Sequence, residues 1–274
     1  MAFKLFDYQS SGKGISKSAP QKKPFFKYWE IFGRKFWKLI ELNMLYVLFC
    51  IPIITFGPAT AALTHVMRKF ILEQPCFVFD EFFTAFKKNF KQSVFIGIVD
   101  VIMIVSVWIA CFQFLMNESL PDGSLVFICI MICCATLVFI MHFYIYLEIV
   151  ALNLSIGSIL KNAVFLVFLG VKRNFIALII NLAIISLIVL FLPFSVFAVI
   201  FLPLSLMCFT TTFICYPVIQ KYIVNPYYEE RGERNPEFGP ITEEDIAENA
   251  VFVDRGGSEK EIKATPKAHG KVIK

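Results

Sequence analysis

Charged residues are scarce in this chain, and over one long stretch they are absent. Asp, Glu, Lys and Arg make up 17% of the 274 residues, and none of them occurs between Asn174 and Gln220. A soluble domain carries roughly 25% of such residues, spread over its surface. The chain also has only three histidines and no metalloprotease, serine-hydrolase, dinucleotide-binding or Walker A motif. We therefore predict neither a soluble domain nor an enzyme, and no cofactor.

Hydrophobic residues are abundant instead. They make up 58% of the chain, the mean hydropathy is +0.70, and there are 32 phenylalanines. The charges lie almost wholly outside the apolar blocks, which is typical of membrane spans flanked by aqueous segments. This pattern predicts an all-α polytopic membrane protein, with the lipid bilayer as its first partner. The net charge of +5 then reflects membrane topology, and we predict no binding of nucleic acid.

The cysteines favour packing over a metal site or a disulfide framework. Seven of the eight fall in apolar blocks, where a free thiol behaves as a small hydrophobic group. Cys129, Cys133 and Cys134 lie close enough on one helix for a soft metal to be conceivable, but no His or Met pattern completes a site. We predict no metal site, and we expect Cys76 alone to face water.

The apolar blocks predict about six transmembrane helices between a basic N-terminal segment (1–35) and a polar, largely disordered tail (223–274). The spans are 36–54, 57–71, 93–116, 125–148, 174–193 and 195–220 within a transmembrane domain of 36–222. Amphipathic helices are predicted at 24–38 and 74–92, at the membrane surface. A turn near Leu192 separates the last two spans, with Pro203 as a kink or as the turn itself. Thr242 and Asp245 predict one short helix in the tail.

The distribution of Lys and Arg predicts that both termini are cytoplasmic. The N-terminus, residues 68–91, residues 161–173 and the C-terminus carry Lys or Arg, whereas 117–124 and 192–196 carry neither. If 36–67 crossed the membrane once, the first two basic segments would lie on opposite sides. Two crossings, with a turn at 52–58 near the outer face, remove this conflict. Five spans with an external N-terminus remain the alternative.

The turn itself has a distinct sequence, Pro-Ile-Ile-Thr-Phe-Gly-Pro. Pro52 ends one helix, Thr55 and Gly57 lie in the break, and Pro58 suits the first position of the next helix, where its missing N–H costs no hydrogen bond. Small residues follow in Ala59-Thr-Ala-Ala, and they permit close helix approach. We predict a structural hairpin built on these four positions.

The run NMLYVLFCIPIITFGPATAAL, preceded by FGRKFWKL and followed by FDEFFTAFKKNFKQS, resembles the YesL-like family of bacterial integral membrane proteins, a domain of unknown function. The resemblance covers roughly Phe25 to Tyr222. It implies a multi-pass protein in the plasma membrane of a Firmicutes-type bacterium, whose relatives are associated with carbohydrate uptake and utilisation. It implies no established activity and supplies no catalytic residue.

Polar residues inside predicted spans are the best pointers to a site, because a charge in hydrocarbon is costly and usually has a partner. Asp100 lies about 13 Å past Lys91, and His142 lies about 9 Å before Glu148 on the returning span. We expect Asp100 and His142 to face each other, with Tyr146 on the same helix face as His142.

Asn43 and Asn181 enter from the same side at similar depth, so they extend the predicted polar layer to four spans. Glu41 and Glu148 lie at span ends, where we expect their carboxylates to reach water.

The layer has two interpretations. It is either structural, with hydrogen bonds across helices, or a solvated substrate and proton site with Asp100 and His142 as the titrating pair. The first agrees with the function that the resemblance implies, an accessory or regulatory role in carbohydrate uptake with sugar-transporter permease subunits as partners. The second predicts a self-standing small-solute transporter. The sequence does not fix the oligomeric state.

Overall fold

The computed structural model describes residues 23–116, 124–232 and 235. These residues form helices and no strand, which confirms the all-α fold class. The predicted tail helix at Thr242 and the predicted loop at 117–123 lie outside the described residues. The described residues divide into two compact units at the boundary between Tyr216 and Pro217.

The first hairpin forms where the sequence predicts it. Helix α1 (Pro24–Cys50) ends before Pro52, a short 3-10 turn follows (Ile53–Thr55), and α2 (Phe56–Ile71) begins directly after it. The predicted surface helix at 24–38 and the span predicted after it form one continuous helix. After its first residue, α1 contains no Pro and a single Gly, Gly33, which a helix tolerates. Helix α2 starts two residues before Pro58, which therefore lies in its first turn.

Two long helices follow. Helix α3 (Val78–Met116) is continuous, so the amphipathic helix predicted at 74–92 and the span predicted at 93–116 are one element. Helix α4 (Ser124–Ala151) runs back beside it. Helix α2 packs along α3 more extensively than any other pair of elements, and it also contacts α1 and α4.

The second half of the first unit is more broken. Helix α5 (Ile156–Leu169) begins at Ser155, whose hydroxyl accepts a hydrogen bond from the Ser158 N–H, and α6 (Val171–Leu190) follows after Gly170. The predicted turn near Leu192 is present. A second break at Leu202 separates a short α7 (Ser195–Phe201) from α8 (Pro203–Ile219), so Pro203 starts a helix.

Within the second unit, the described residues include a π-helical turn (Gln220–Val224) and α9 (Asn225–Arg231). The Arg231 guanidinium lies 4.0 Å from the centre of the Tyr227 ring. Gly232 ends α9 with φ of 65°, a left-handed conformation that glycine adopts without the steric cost of a side chain.

The core of the first unit surrounds α2, which is buried on most of its circumference. Its small side chains let α1 and α3 approach closely, and large side chains such as Phe70, Phe82 and Phe209 fill the space between the helices. Phe82 is fully buried, and its ring centre lies 5.6 Å from that of Phe49 at the end of α1. This packing fixes the position of the first hairpin against α3.

Four of the described helices are long and apolar enough to cross a membrane: Val78–Ala110, Leu125–Ala151, Val171–Leu190 and Pro203–Arg231. The protein is therefore a polytopic helical membrane protein. Helix α2 has 16 residues, about 24 Å, which is shorter than the roughly 30 Å of hydrocarbon in a bilayer. Neither α1 nor α2 is among the four helices, and the count of six spans stays a prediction.

The contacts of the first turn conflict with one of two expected depths. The sequence places this turn near the outer face and Ser93 at the cytoplasmic end of the next span. In the structure, Gly57 of the turn packs directly on the backbone of Ser93 and Gly97. Two groups in contact lie at one depth in the membrane. The turn therefore cannot lie near the outer face while Ser93 lies at the cytoplasmic end of its span.

Candidate functional site

The predicted structural motif at the turn has a clear role for each residue. The Thr55 hydroxyl lies 2.6 Å from the Phe49 carbonyl oxygen and 2.7 Å from that of Pro52, so its one proton can be donated to a carbonyl that the helix break frees. Gly57 packs so closely on α3 that a Cβ at this position would overlap the Ser93 carbonyl oxygen. Pro58 is buried in the first turn of α2. These residues hold the hairpin against α3.

The structure brings Asp100 of α3 together with His142 and Tyr146 of α4. His142 Nε2 pairs with Asp100 Oδ1, and the Tyr146 hydroxyl donates to Asp100 Oδ2 over 2.6 Å. The exposed fractions of Asp100 and Tyr146 are 6% and 5%. His142 and Tyr146 are four residues apart, so one face of α4 supplies both. We call these three residues the Asp100 cluster.

The hydrogen bonds of His142 define how many protons the cluster holds. Its Nδ1 lies 2.7 Å from the carbonyl oxygen of Val138, which can only accept, so Nδ1 carries a proton. The bond to Asp100 then needs one more proton, either on Nε2 with an ionised carboxylate or on Oδ1 with a neutral imidazole. The two forms differ by a transfer between adjacent atoms. Asp100 and His142 can therefore share one proton between Oδ1 and Nε2.

Asn43 has other hydrogen-bond partners. Its Nδ2 donates to the carbonyl oxygens of Val199 and Ile200, both over 2.8 Å, and its Oδ1 accepts from the Ser205 N–H over 2.7 Å. These are the backbone groups at the break between α7 and α8. Asn43 is fully buried and satisfies groups that lipid could not.

Asn181 also bonds elsewhere. Its Nδ2 donates to the Ala177 carbonyl oxygen over 2.8 Å and to the Thr211 hydroxyl over 2.9 Å, which links α6 to α8. Among the residues that the structure describes, no hydrogen bond joins Asn43 or Asn181 to Asp100 or His142. The four residues predicted as one layer form three separate hydrogen-bonded groups.

The expectation for Glu148 is wrong. Its carboxylate does not reach water, because the residue is 0% exposed, and neither oxygen has a hydrogen bond. The Asn162 side chain of α5 is a polar neighbour of this carboxylate. The sequence placed Glu148 at a span end, but α5 and α2 both pack on this part of α4. The signal in the sequence that could have indicated this burial is the second apolar helix, α5, which follows soon after Glu148.

Sequence reasoning also missed a neighbouring polar group. The Tyr144 hydroxyl donates to Asn174 Oδ1, and Asn174 Nδ2 donates to the Val167 carbonyl oxygen over 2.9 Å. Gly170 lies directly beside the Tyr144 hydroxyl, where a Cβ would collide with it. The group joins α4 to the junction of α5 and α6.

The expectation that Cys76 faces water is also wrong, since only 6% of the residue is exposed. Burial raises the pKa of its thiol, and the nearby Glu81 carboxylate raises it further. The Lys38 ammonium donates to the Cys76 carbonyl oxygen over 3.1 Å. Conversely, Cys129, Cys133 and Cys134 are exposed on α4. No group of three metal-ligating side chains occurs within the described part of the chain.

Comparison with known proteins gives one match, to a family model that covers the hairpin and most of α3. The chain matched no curated protein and no solved structure. Residues 39–111 match the family model described as "Protein of unknown function, DUF624". The matched segment includes Asn43, the whole first turn and Asp100, and it ends before His142. The match over these residues confirms the resemblance to the YesL-like family, because the DUF624 description includes that family.

Proposed function

We propose that the protein is a non-enzymatic component of the bacterial plasma membrane that acts as an accessory or regulatory partner of carbohydrate uptake. The family resemblance supports the link to carbohydrate. The distribution of Lys and Arg supports cytoplasmic termini. The observation in the structure that favours a partner is the outer half of the α3–α4 hairpin, residues 101–116 and 124–141, which we call the outer arm.

No described side chain of the outer arm is buried. The two helices contact each other, and the rest of their surface is apolar, with exposed residues such as Trp108, Phe112, Leu125 and Phe127. A two-helix arm of this kind has room for further transmembrane helices on each side. Such helices would be those of a sugar-transporter permease subunit.

One stripe of the arm suits close helix packing. Cys129, Cys133 and Thr136 lie on one side of α4 at helical spacing, and small side chains allow two helix backbones to approach in a membrane. Cys134 is also exposed but lies about 100° around the helix from Cys133. The two adjacent cysteines therefore form a matched pair for testing a docking face.

The test is affinity purification of the tagged protein from native membranes in mild detergent. We expect stoichiometric recovery of sugar-permease subunits, loss of that recovery in Cys133→Trp and retention in Cys134→Trp. Equal recovery with both variants would contradict the docking face. Recovery of the protein alone, together with solute movement when it is reconstituted in liposomes, would refute the accessory role.

The Asp100 cluster favours a second candidate, a self-standing small-solute transporter. A buried carboxylate that shares a proton with an imidazole is suited to proton coupling. Asp100→Asn keeps the size of the side chain and removes the titrating carboxyl. Loss of proton-dependent solute flux in liposomes with unchanged thermal stability would support the transporter, whereas a loss of stability would indicate a structural role.

A further inference from the structure

Glu148 is buried without a partner. It is 0% exposed, and neither of its carboxylate oxygens has a hydrogen bond. An ionised carboxylate that is removed from water without a counter-charge is very unfavourable, and such a group takes up a proton instead. A protonated carboxyl is neutral and can be buried at a much smaller cost. The surroundings of Glu148 therefore favour the acid over the anion.

The charged groups on the helices that pack on α4 do not compensate Glu148. Arg68 of α2 has other acceptors, since its Nε donates to the Tyr216 hydroxyl over 2.8 Å and its Nη1 to the Val150 carbonyl oxygen over 3.3 Å. The remaining charged groups and histidines of α2, α3 and α5 pair elsewhere or are exposed: His65 and Lys69 pair with Glu81, Asp100 pairs with His142 and Tyr146, and Asp80, Lys87, Lys88, Lys91 and Lys161 are exposed. Within the described part of the chain, no cation therefore neutralises the Glu148 carboxylate.

Helix α5 forms part of the cover over Glu148. The buried residues of α5 form one stripe, and α4 is the helix on which α5 mainly packs. Asn162 lies next to this stripe as a polar neighbour of the carboxylate. Its amide oxygen can accept a hydrogen bond from a protonated carboxyl. The stripe consists of Ile159, Ala163, Leu166 and Val167.

Water is close to this site at the end of α4. Glu148 lies about one helical turn before the connection between α4 and α5, and Asn153 and Ser155 in that connection are exposed. The outward face of α5 is exposed as well, as at Phe165, so the packing on α4 is what holds α5 in place. A small displacement of α5 from α4 is therefore enough to admit water to the carboxyl.

The Glu148 carboxyl is separate from the Asp100 cluster. Tyr146, which donates to Asp100, lies two residues before Glu148 and so about 200° around α4 from it. The two carboxyls thus have different neighbours: His142 and Tyr146 for Asp100, and Asn162 for Glu148.

We propose that Glu148 is a second proton-binding site, whose carboxyl is protonated while α5 packs on α4 and gives its proton to water when α5 moves away. The packed form then holds one proton more than the displaced form, in which Glu148 is an anion in water. A rise in pH therefore favours displacement of α5, and a fall in pH favours its packing. This coupling does not depend on either function proposed above.

The experiment is hydrogen exchange of the full chain in lipid nanodiscs, followed by mass spectrometry of peptides from α5 over a range of pH. Glu148→Gln keeps the size of the side chain and removes the titrating group. Glu148→Met is a second neutral variant, and Glu41→Gln is the control, because Glu41 is a partly exposed glutamate on α1. The ratio of the wild-type exchange rate to the variant rate cancels the intrinsic effect of pH on exchange.

We expect the ratio for α5 against Glu148→Gln to rise about tenfold per pH unit above the range in which a glutamate in water ionises, because displacement releases one proton. The ratio against Glu41→Gln should stay constant. At neutral pH, the infrared carbonyl band of a protonated carboxylic acid should be present in the wild type and in Glu41→Gln and weaker in Glu148→Gln.

A ratio that does not change with pH, or an acid band that is unchanged in Glu148→Gln, would overturn the proposal. A rise that is equal in peptides from all helices would overturn α5 as the element that opens the site. Failure of both Glu148→Gln and Glu148→Met to fold would also overturn it, since a site that holds a neutral acid should accept a neutral side chain of the same length.

Discussion

The packed base of the molecule and its outer arm differ in burial far more than in hydrophobicity. The base consists of α2, the parts of α1 and α3 that pack on it, and the end of α4, and it contains polar pairs, glycines and many small residues. The outer arm is more apolar and has no buried side chain among those described. In lipid, apolar character alone does not bring helices together, whereas small side chains and hydrogen bonds do. The helices of the base are therefore held together by close packing of small side chains and by hydrogen bonds.

The largest effect is expected from removing a large side chain from the base. Phe82→Ala should destabilise the protein by about 3–5 kcal/mol, because Phe82 is fully buried against the end of α1 and the surrounding helices cannot close the cavity. Thermal unfolding in detergent measures the loss.

Phe112→Ala on the arm is the matched control. Its ring is 48% exposed, so the change should cost less than about 1 kcal/mol, since lipid or detergent fills the space. A loss as large as that of Phe82→Ala would mean that the arm is covered by protein and would break the comparison.

The next effect concerns the tightest contact between the hairpin and α3. Gly57→Ala should cost about 1–3 kcal/mol, because the new Cβ would overlap the Ser93 carbonyl oxygen and force the helices apart. Gly33→Ala is the control, since a Cβ there has no neighbour within 4 Å. That variant should gain up to about 1 kcal/mol from helix propensity. Equal melting temperatures for the two variants would contradict the close contact.

A smaller effect is expected where base and arm meet. Tyr146→Phe removes one hydrogen bond to Asp100 and should cost about 0.6–2 kcal/mol. Combined with Asp100→Asn in a double-mutant cycle, the two changes should be non-additive by a similar amount. Additive losses would show that the hydroxyl and the carboxylate do not interact in the membrane.

The smallest effect is a change in reactivity. Burial raises the pKa of the Cys76 thiol, so at neutral pH less of it is thiolate than in a free cysteine. Its alkylation in the folded protein should therefore be slow and should keep rising with pH beyond the range in which a free thiol levels off. A rate equal to that of denatured protein at each pH would contradict its burial in the base.

The sequence predicted those features that depend on local chemistry. Pro52, Gly57 and Pro58 predicted the chain reversal. The depths of Asp100 and His142 predicted that these two side chains meet, because each depth was counted from charged residues at the membrane surface. The depth of the reversal was not predictable in this way, since it depends on which part of α3 the hairpin packs against. That register is decided by the absence of side chains at Gly57 and Gly97.

The remaining differences arise from long-range packing. Glu148 and Cys76 are buried by helices that come from elsewhere in the chain, and hydropathy near each residue does not contain this information. The sequence predicts Asn43 and Asn181 at a depth similar to that of Asp100, but in the structure their amides bond to the α7–α8 break and to a hydroxyl on α8. Depth alone therefore cannot group polar residues into one site.

The three bonds of Asn43 also affect how the protein is made. Its amide donates to the Val199 carbonyl, 156 residues later in the chain. At about 5–20 residues per second, a ribosome needs roughly 10–30 s to synthesise that distance. During this interval the amide has none of its final partners, and the insertion machinery or another membrane protein must tolerate it. The hydrogen bonds of the first hairpin are thus completed only when α7 and α8 have been synthesised. A chain truncated before α7 differs from a longer one in leaving the Asn43 amide without these partners.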